Sequence, residues 1–272
     1  MSALDTAVRG SRALPFPAGA GLARFVVARN YTAFRRAWLI FISGFAEPVL
    51  YLFSLGVGLG ALIGTVRTDA GTEVPYAVFV APAMLATSAM NGAVFDSTFN
   101  VFFKLRYARL YDAMLATPVG PRDIAVGEIT WSMMRGTVYS AIFILVALAA
   151  GFVRSWWALL ALPAAILIGF AFSAIGMWAT TYMSSWQHFE YITLAVQPMF
   201  LFSATFFPLG VYPPVLQWVV QATPLYHAVS LERELMLGEV TWGILGHVAY
   251  LLVLVAAGVV GASRRIEKLL LT

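Results

Sequence analysis

The sequence predicts an all-α integral membrane protein with six transmembrane helices, and three observations predict it. Hydrophobic residues make up 61% of the 272 positions and charged residues only 11%, with a mean hydropathy of +0.82, which is outside the range of soluble domains. Apolar runs of about 20 residues, the length that a bilayer core of roughly 30 Å demands, recur along the chain. The basic residues gather beside those runs instead of interleaving with aromatics on a polar face, a pattern of membrane topology and not of nucleic-acid binding. The chain has no cysteine, which removes disulfides, thiolate metal sites and cysteine nucleophiles.

Residues 1–20 carry Gly10, Pro15, Pro17 and Gly19 without periodicity and are expected to form a flexible cytosolic tail. They lack the apolar core and small-residue cleavage site of a secretory signal. Residues 21–37 mix Arg24, Arg29, Arg35 and Arg36 with Phe25, Val26, Val27 and Phe34, as suits an amphipathic helix lying along the lipid headgroups. A transmembrane domain follows over 38–262, with spans expected at 38–64, 76–101, 129–151, 157–183, 189–207 and 243–262, and a tail at 263–272.

Six spans put both termini on one side, and positive charge says which. Arg9, Arg12 and the four arginines of 21–37 precede the first span, Lys104, Arg106, Arg109 and Arg122 lie in the loop after the second, and Arg264, Arg265 and Lys268 end the chain. Only Arg67, Arg154 and Arg233 fall on the opposite side, so the heavy side is expected to be cytoplasmic.

The first span repeats Gly56, Gly60 and Gly64 at four-residue spacing, and the fourth carries Gly169, Ser173 and Gly176; both read as small-residue faces for helix packing. The GVGLG within the first span lacks the strand, third glycine and acid of a dinucleotide fingerprint.

The longest charged interruption is the elbow at 102–128. As one helix it lines up Phe103, Tyr107, Leu110 and Met114 in an apolar stripe. Thr117-Pro118 then breaks it, and Gly120-Pro121 restarts a helix with Asp123 near its positive end. Residues 208–242 are too polar and proline-broken to cross the bilayer. Pro213-Pro214 and Pro224 bound two short outer helices, and Tyr212, Trp218, Tyr226 and Trp242 favour the interface.

Charges inside spans cost about 2.5–3.5 kcal/mol each, so Glu47, Asp96 and Arg135 are expected to pair or form a triad across adjacent helices. A structural ion pair is the first reading; gating or substrate passage, and a proton relay, stay open. His188, His227 and His247 are assigned to different parts of the topology, and no HExxH spacing exists, so no metal site is expected. A nucleophile elbow is missing too. The two lysines, Lys104 and Lys268, follow Phe103 and Glu267, so no P-loop exists. No cofactor is expected on this chain. If it belongs to an ATP-driven machine, ATP and Mg sit on a partner chain, and the elbow is the surface placed to receive it.

Three stretches resemble a known family: EPVLYLFSLGVGLG at 47–60, RYARLYDAMLATPVGPRDIAVGEITWSMMRG at 106–136, and FLFSATFFPLGVYPPVLQWVVQATPLYHAVSLERELMLG at 200–238. The chain after residue 20 is similar to the ABC-2 type permease subunits, in their nodulation-factor-exporter (NodJ-like) branch. The resemblance implies the ABC-2 permease fold, with an amphipathic N-terminal helix, a cytosolic coupling helix and short re-entrant outer helices. It further implies two permease subunits, identical or close paralogues, pairing with two separate nucleotide-binding ATPase subunits in a bacterial inner membrane. By resemblance, Tyr111, Asp112, Leu115, Thr117 and Pro118 match the coupling-helix motif, Glu128 the Gly-Glu at the entry to the third span, and Phe207, Pro208 and Pro224 the outer-loop motif. The activity implied is ATP-driven outward movement of an amphipathic molecule: a glycolipid, a lipid-linked saccharide or a hydrophobic drug. A secondary, ion-coupled transporter is the alternative, because Glu47 and Arg135 are the kind of groups it would keep in the membrane.

Overall fold

The computed structural model describes residues 21–35 and 39–271; the expected tail at 1–20 and Arg36 lie outside them. Among the described residues, five helices are long and apolar enough to cross a membrane: Ala46–Ile63, Tyr76–Tyr107, Pro121–Ala149, Trp156–Thr180 and Gly243–Leu269. The interfacial helix α1 (Ala23–Arg35) precedes them. It seats Val26 against Gly127, where an added Cβ would come within 2.6 Å of the valine Cβ.

Helix α2 (Leu39–Phe53) runs through a π-helical stretch, Ser54–Leu59, to Gly60–Ile63, where three glycines weaken the regular ladder. It stops at Gly64, whose φ of 74° only glycine adopts freely. The all-α expectation then needs one amendment. Strands β1 (Thr65–Arg67) and β2 (Glu73–Pro75) form an antiparallel hairpin in the register Thr65↔Pro75, Val66↔Val74, Arg67↔Glu73.

Helix α3 (Tyr76–Phe95) is apolar on every side and is accordingly the centre of the bundle, with Phe79, Met84, Leu85 and Met90 fully enclosed. It is extended by two π-helical segments, Asp96–Asn100 and Phe103–Tyr107. After the short α4 (Leu110–Leu115), α5 (Pro121–Ala149) starts with proline in its first turn, and Asp123 Oδ2 accepts the Gly120 N–H at 3.0 Å. A 3₁₀ turn capped by Ser155 leads into α6 (Ala161–Thr180).

The expected span at 189–207 is helical only in α7 (Phe189–Leu201). Thirteen residues reach about 20 Å, short of the roughly 30 Å of hydrocarbon. Pro198 interrupts the hydrogen-bond ladder and Ala204 takes a φ of 54°, so Phe202 to Phe207 is irregular. Bare backbone is tolerated there because protein surrounds it. Ser203, Ala204 and Thr205 are buried, Arg233 Nη2 donates to Ala204 O at 2.8 Å, and the hydroxyls of Ser203 and Thr223 meet at 2.9 Å. Helices α8 (Pro214–Ala222), α9 (Pro224–Leu237) and α10 (Gly243–Leu271) complete the chain.

Glycine placement departs from the expected faces. A Cβ on Gly56 would touch Ala77 at 3.3 Å, but Gly60 comes no nearer than 4.0 Å to Tyr76, Gly64 ends the helix, and Gly169 meets nothing within 4 Å. Ser173 is buried and Gly176 does sit tightly against Ser97. A glycine pressed against the backbone of another helix is found elsewhere, between α10 and α6. A Cβ on Gly258 would lie 2.6 Å from the Ala174 carbonyl carbon, and one on Gly261 would lie 2.5 Å from the Trp178 ring. Because backbone cannot yield as a side-chain tip can, Gly258→Val is expected to cost about 1–3 kcal/mol and Gly60→Ala close to nothing. Thermal unfolding of the two variants in detergent checks this.

The two ends of the bundle are distinct. At one, Tyr111, Ile124, Ala125, Met177, Ala262 and Ile266 form a single cluster, so the elbow, the start of α5 and the end of α10 are together. At the other, Thr68 Oγ1 donates to Glu239 Oε1 at 2.9 Å and Arg154 N–H to Met236 O at 3.1 Å, tying the hairpin and the approach to α6 to the end of α9. Most of the described basic residues lie on the elements that meet at the elbow end.

Candidate functional site

The elbow is two elements and not one. Arg109 adopts a left-handed conformation, φ 42° and ψ 36°, and turns the chain between the end of α3 and α4. The predicted stripe is split by this break. Phe103 and Tyr107 stay on the α3 extension, stacked at 5.9 Å, and Tyr107 stands edge-on to Trp186. Phe102 and Phe99 reach Phe189 at the start of α7, at 5.1 and 4.0 Å.

Leu110, Met114 and Leu115 are half-buried, the latter two against the cluster at the elbow end, and Tyr111 is buried within it. What α4 and its flanks present outward is Arg109, Asp112, Ala113, Ala116, Thr117 and Pro118: small and polar, not an apolar ridge. Thr117 Oγ1 donates to Met114 O and accepts the Val119 N–H, so this turn is closed across Pro118.

Behind α4 lies a buried polar hub centred on Glu128 of α5, whose side chain is 2% exposed. Lys104 Nζ donates to Glu128 Oε2 at 2.6 Å and to Asn30 Oδ1 at 3.2 Å, while Asn30 Nδ2 donates to Glu128 Oε2 at 2.9 Å. Arg29 Nη2 stands 3.8 Å from Glu128 Oε1. Burial, and the neighbouring carboxylate of Glu128, hold the Tyr111 phenol well above its ordinary range. One carboxylate thus joins α1, the end of α3 and α5, with α4 lying against it. Lys104 and Asn30 are not singled out by sequence reasoning. The available signal was the cost of burying Glu128, which demands partners.

Deeper in the bundle, the expected intramembrane pair is present. Arg135 Nη1 reaches Asp96 Oδ1 at 2.5 Å, Arg135 Nη2 donates to Tyr139 Oη at 2.8 Å, and the guanidinium lies 4.2 Å from the Phe34 ring centroid. Asn100 Nδ2 donates to the same Asp96 oxygen. Glu47 does not complete a triad. It is exposed on α2 and lines a cavity of about 140 Å³ with Thr87, Asn91, Gln197 and Phe200, from α3 and α7. It makes no ion pair among the described residues.

The histidines need a correction as well. His188 accepts the Ser184 N–H near the elbow end, but His227 of α9 and His247 of α10 meet, their Nδ1 atoms 2.8 Å apart. Two segments far apart in the sequence fold side by side here, which no local spacing signals. In the region expected from the sequence to be the outer loop, Phe207 is exposed, Pro208 precedes the turn Leu209–Val211, and Pro224 opens α9, where Thr223 Oγ1 accepts the Tyr226 N–H at 3.3 Å.

Residues 22–237 match the model of the ABC-2 type transporter family. The chain is similar to curated proteins named Nodulation protein J. The one from Rhizobium leguminosarum bv. viciae is 37% identical over 226 residues, which is 82% of this chain and 85% of that protein. That of Sinorhizobium fredii is 36% identical over 226 residues, covering 82% and 84%. That of Rhizobium meliloti is 36% identical over 214 residues, covering 78% and 79%.

Proposed function

The chain belongs to the ABC-2 type transporter family, and from that premise we propose that it is the non-catalytic permease subunit of an ATP-driven exporter, with α4 as the surface on which a separate ATPase docks. It is a multi-pass membrane component of a transport system. The observation that carries the docking reading is the two-sided build of α4: a small, polar, solvent-facing side, and a back whose buried Tyr111 packs with Ile124 and Ala125 of α5. A push delivered to the outer side reaches α5 directly, and reaches α1 and the end of α3 through Asn30 and Lys104. The Asp96–Arg135 pair extends the connection between α3 and α5 toward mid-membrane.

Closure of two partner ATPases would then rock the spans of two permease subunits as rigid bodies and open a path outward. ATP and Mg belong to the ATPases in this scheme. By the charge rule the basic elbow end faces the cytoplasm, and the family resemblance is what supports a bacterial inner membrane. An amphipathic passenger is supported by the Glu47 cavity, where Thr87, Asn91 and Gln197 give hydrogen-bonding walls beside Tyr51 and Phe200.

Glu47, without an ion pair among the described residues, also favours one second reading, an ion-coupled transporter needing no ATPase. Purification from the native membrane separates the two. A Walker-type ATPase is expected to copurify, and its absence after mild solubilisation would sink the exporter reading.

A further inference from the structure

The histidine pair at the end of the bundle opposite the elbow has the geometry of a ligand set. His227 sits in the first turns of α9 and His247 in those of α10, with 2.8 Å between their Nδ1 atoms. Each ring is fixed independently. The Tyr250 ring stacks on His227 at 3.9 Å and 22°, while the Tyr250 hydroxyl donates to Ala222 O at 2.9 Å. His247 Nε2 faces Glu234 Oε1 at 3.5 Å. Glu234 is itself anchored, since its other oxygen accepts both the backbone N–H and the hydroxyl of Thr241, at 2.9 and 2.8 Å. A carboxylate on one ring nitrogen keeps the proton there and leaves the lone pair on the other, which is how metal-binding histidines are oriented.

We propose that His227 Nδ1 and His247 Nδ1 bind one divalent transition-metal ion of the copper and nickel class, which staples α9 to α10. The separation, which is also that of a hydrogen bond, suits this class better than zinc. Two nitrogens each about 2.0 Å from a metal lie about 2.8 Å apart at a right angle, as in tetragonal Cu²⁺ or Ni²⁺, and about 3.3 Å apart in tetrahedral Zn²⁺. Without metal, one proton bridges the two nitrogens. On binding, that proton moves to His227 Nε2 and both Nδ1 lone pairs go to the ion, so neither histidine changes its charge. No third protein ligand converges on the pair among the described residues, so water fills the remaining positions. The ion is therefore exchangeable and open to chelators.

The test uses the detergent-purified complex, free of affinity tag and stripped with chelator, titrated calorimetrically with Ni²⁺. One equivalent per chain is expected. His227→Ala and His247→Ala should each weaken binding at least tenfold, Glu234→Gln by about tenfold, and His188→Ala should change nothing. Binding that survives both alanine variants, or that is lost in His188→Ala, overturns the proposal. Should the alanine variants fail to fold, Cu²⁺ bound to the unaltered protein decides. Its electron spin resonance must show two imidazole nitrogens, and a spectrum without them rejects the site. Because the readout is metal and not transport, failure here leaves the exporter reading untouched.

Discussion

Replacing Glu128 by alanine is expected to destabilise the subunit by about 3–5 kcal/mol, the cost of leaving one member of a buried ion pair uncompensated. Lys104 would keep its charge in a site where only Asn30 remains to accept from it. Removing both charges should be far milder, because a buried pair repays little more than its own desolvation. The double variant Lys104→Met/Glu128→Leu is therefore expected to unfold at a higher temperature than Glu128→Ala alone. Thermal unfolding of the purified subunit orders the three proteins. If Glu128→Ala is as stable as the unaltered chain, the hub does not hold the elbow. The double variant then has a further use: folded but without the polar joint, it should transport poorly while its ATPase still turns over.

Placing an arginine on the outward side of α4 is expected to have the opposite signature. Ala113 is exposed and points away from the cluster that holds Tyr111, so Ala113→Arg should leave unfolding within about 0.5 kcal/mol of the original. Its effect should appear in function, as a loss of tenfold or more in transport and in transport-dependent ATP hydrolysis. Leu110→Asp, by contrast, mixes the two effects, since Leu110 is half-buried. The distinction arises from the break at Arg109, which turns Leu110 and Met114 inward, leaves Phe103 and Tyr107 exposed on the α3 extension, and brings small residues of α4 out.

What could be read from the sequence follows from which interactions are costly. Asp96 and Arg135 lie 39 residues apart, yet their pairing was legible, because a lone charge in hydrocarbon demands a partner and few were on offer. The start of α5 was legible from Gly120-Pro121 and Asp123, a local pattern with a local cause. The span expected at 76–101 was legible from its apolar run of bilayer length, and α3 with its extension covers it.

The misreadings share a different origin. The stripe through Phe103, Tyr107, Leu110 and Met114 assumed a continuous helix, and the left-handed turn at Arg109, a residue type with no marked preference for it, gave no warning. The expected span at 189–207 is apolar enough, but Pro198 and the burial of Ser203 to Thr205 beside Arg233 allow the chain to leave the helix early. Gly258 and Gly261 are spaced three apart in an apolar run and looked unremarkable beside the four-residue repeat at Gly56 to Gly64. Only the proximity of Ala174 and Trp178 reveals which glycines the packing needs. The meeting of His227 with His247 depends likewise on how α9 lies against α10.

The absence of cysteine from the chain makes the central claim directly measurable. A single cysteine introduced as Ala113→Cys, carrying a short thiol-reactive crosslinker in the native membrane, should capture the ATPase subunit, and the yield should change when ATP is bound. A cysteine placed at Trp242, an exposed residue at the opposite end of the bundle, should capture none. Capture at Trp242→Cys with none at Ala113→Cys would contradict the assignment of α4 as the docking surface and reverse the proposed orientation of the chain.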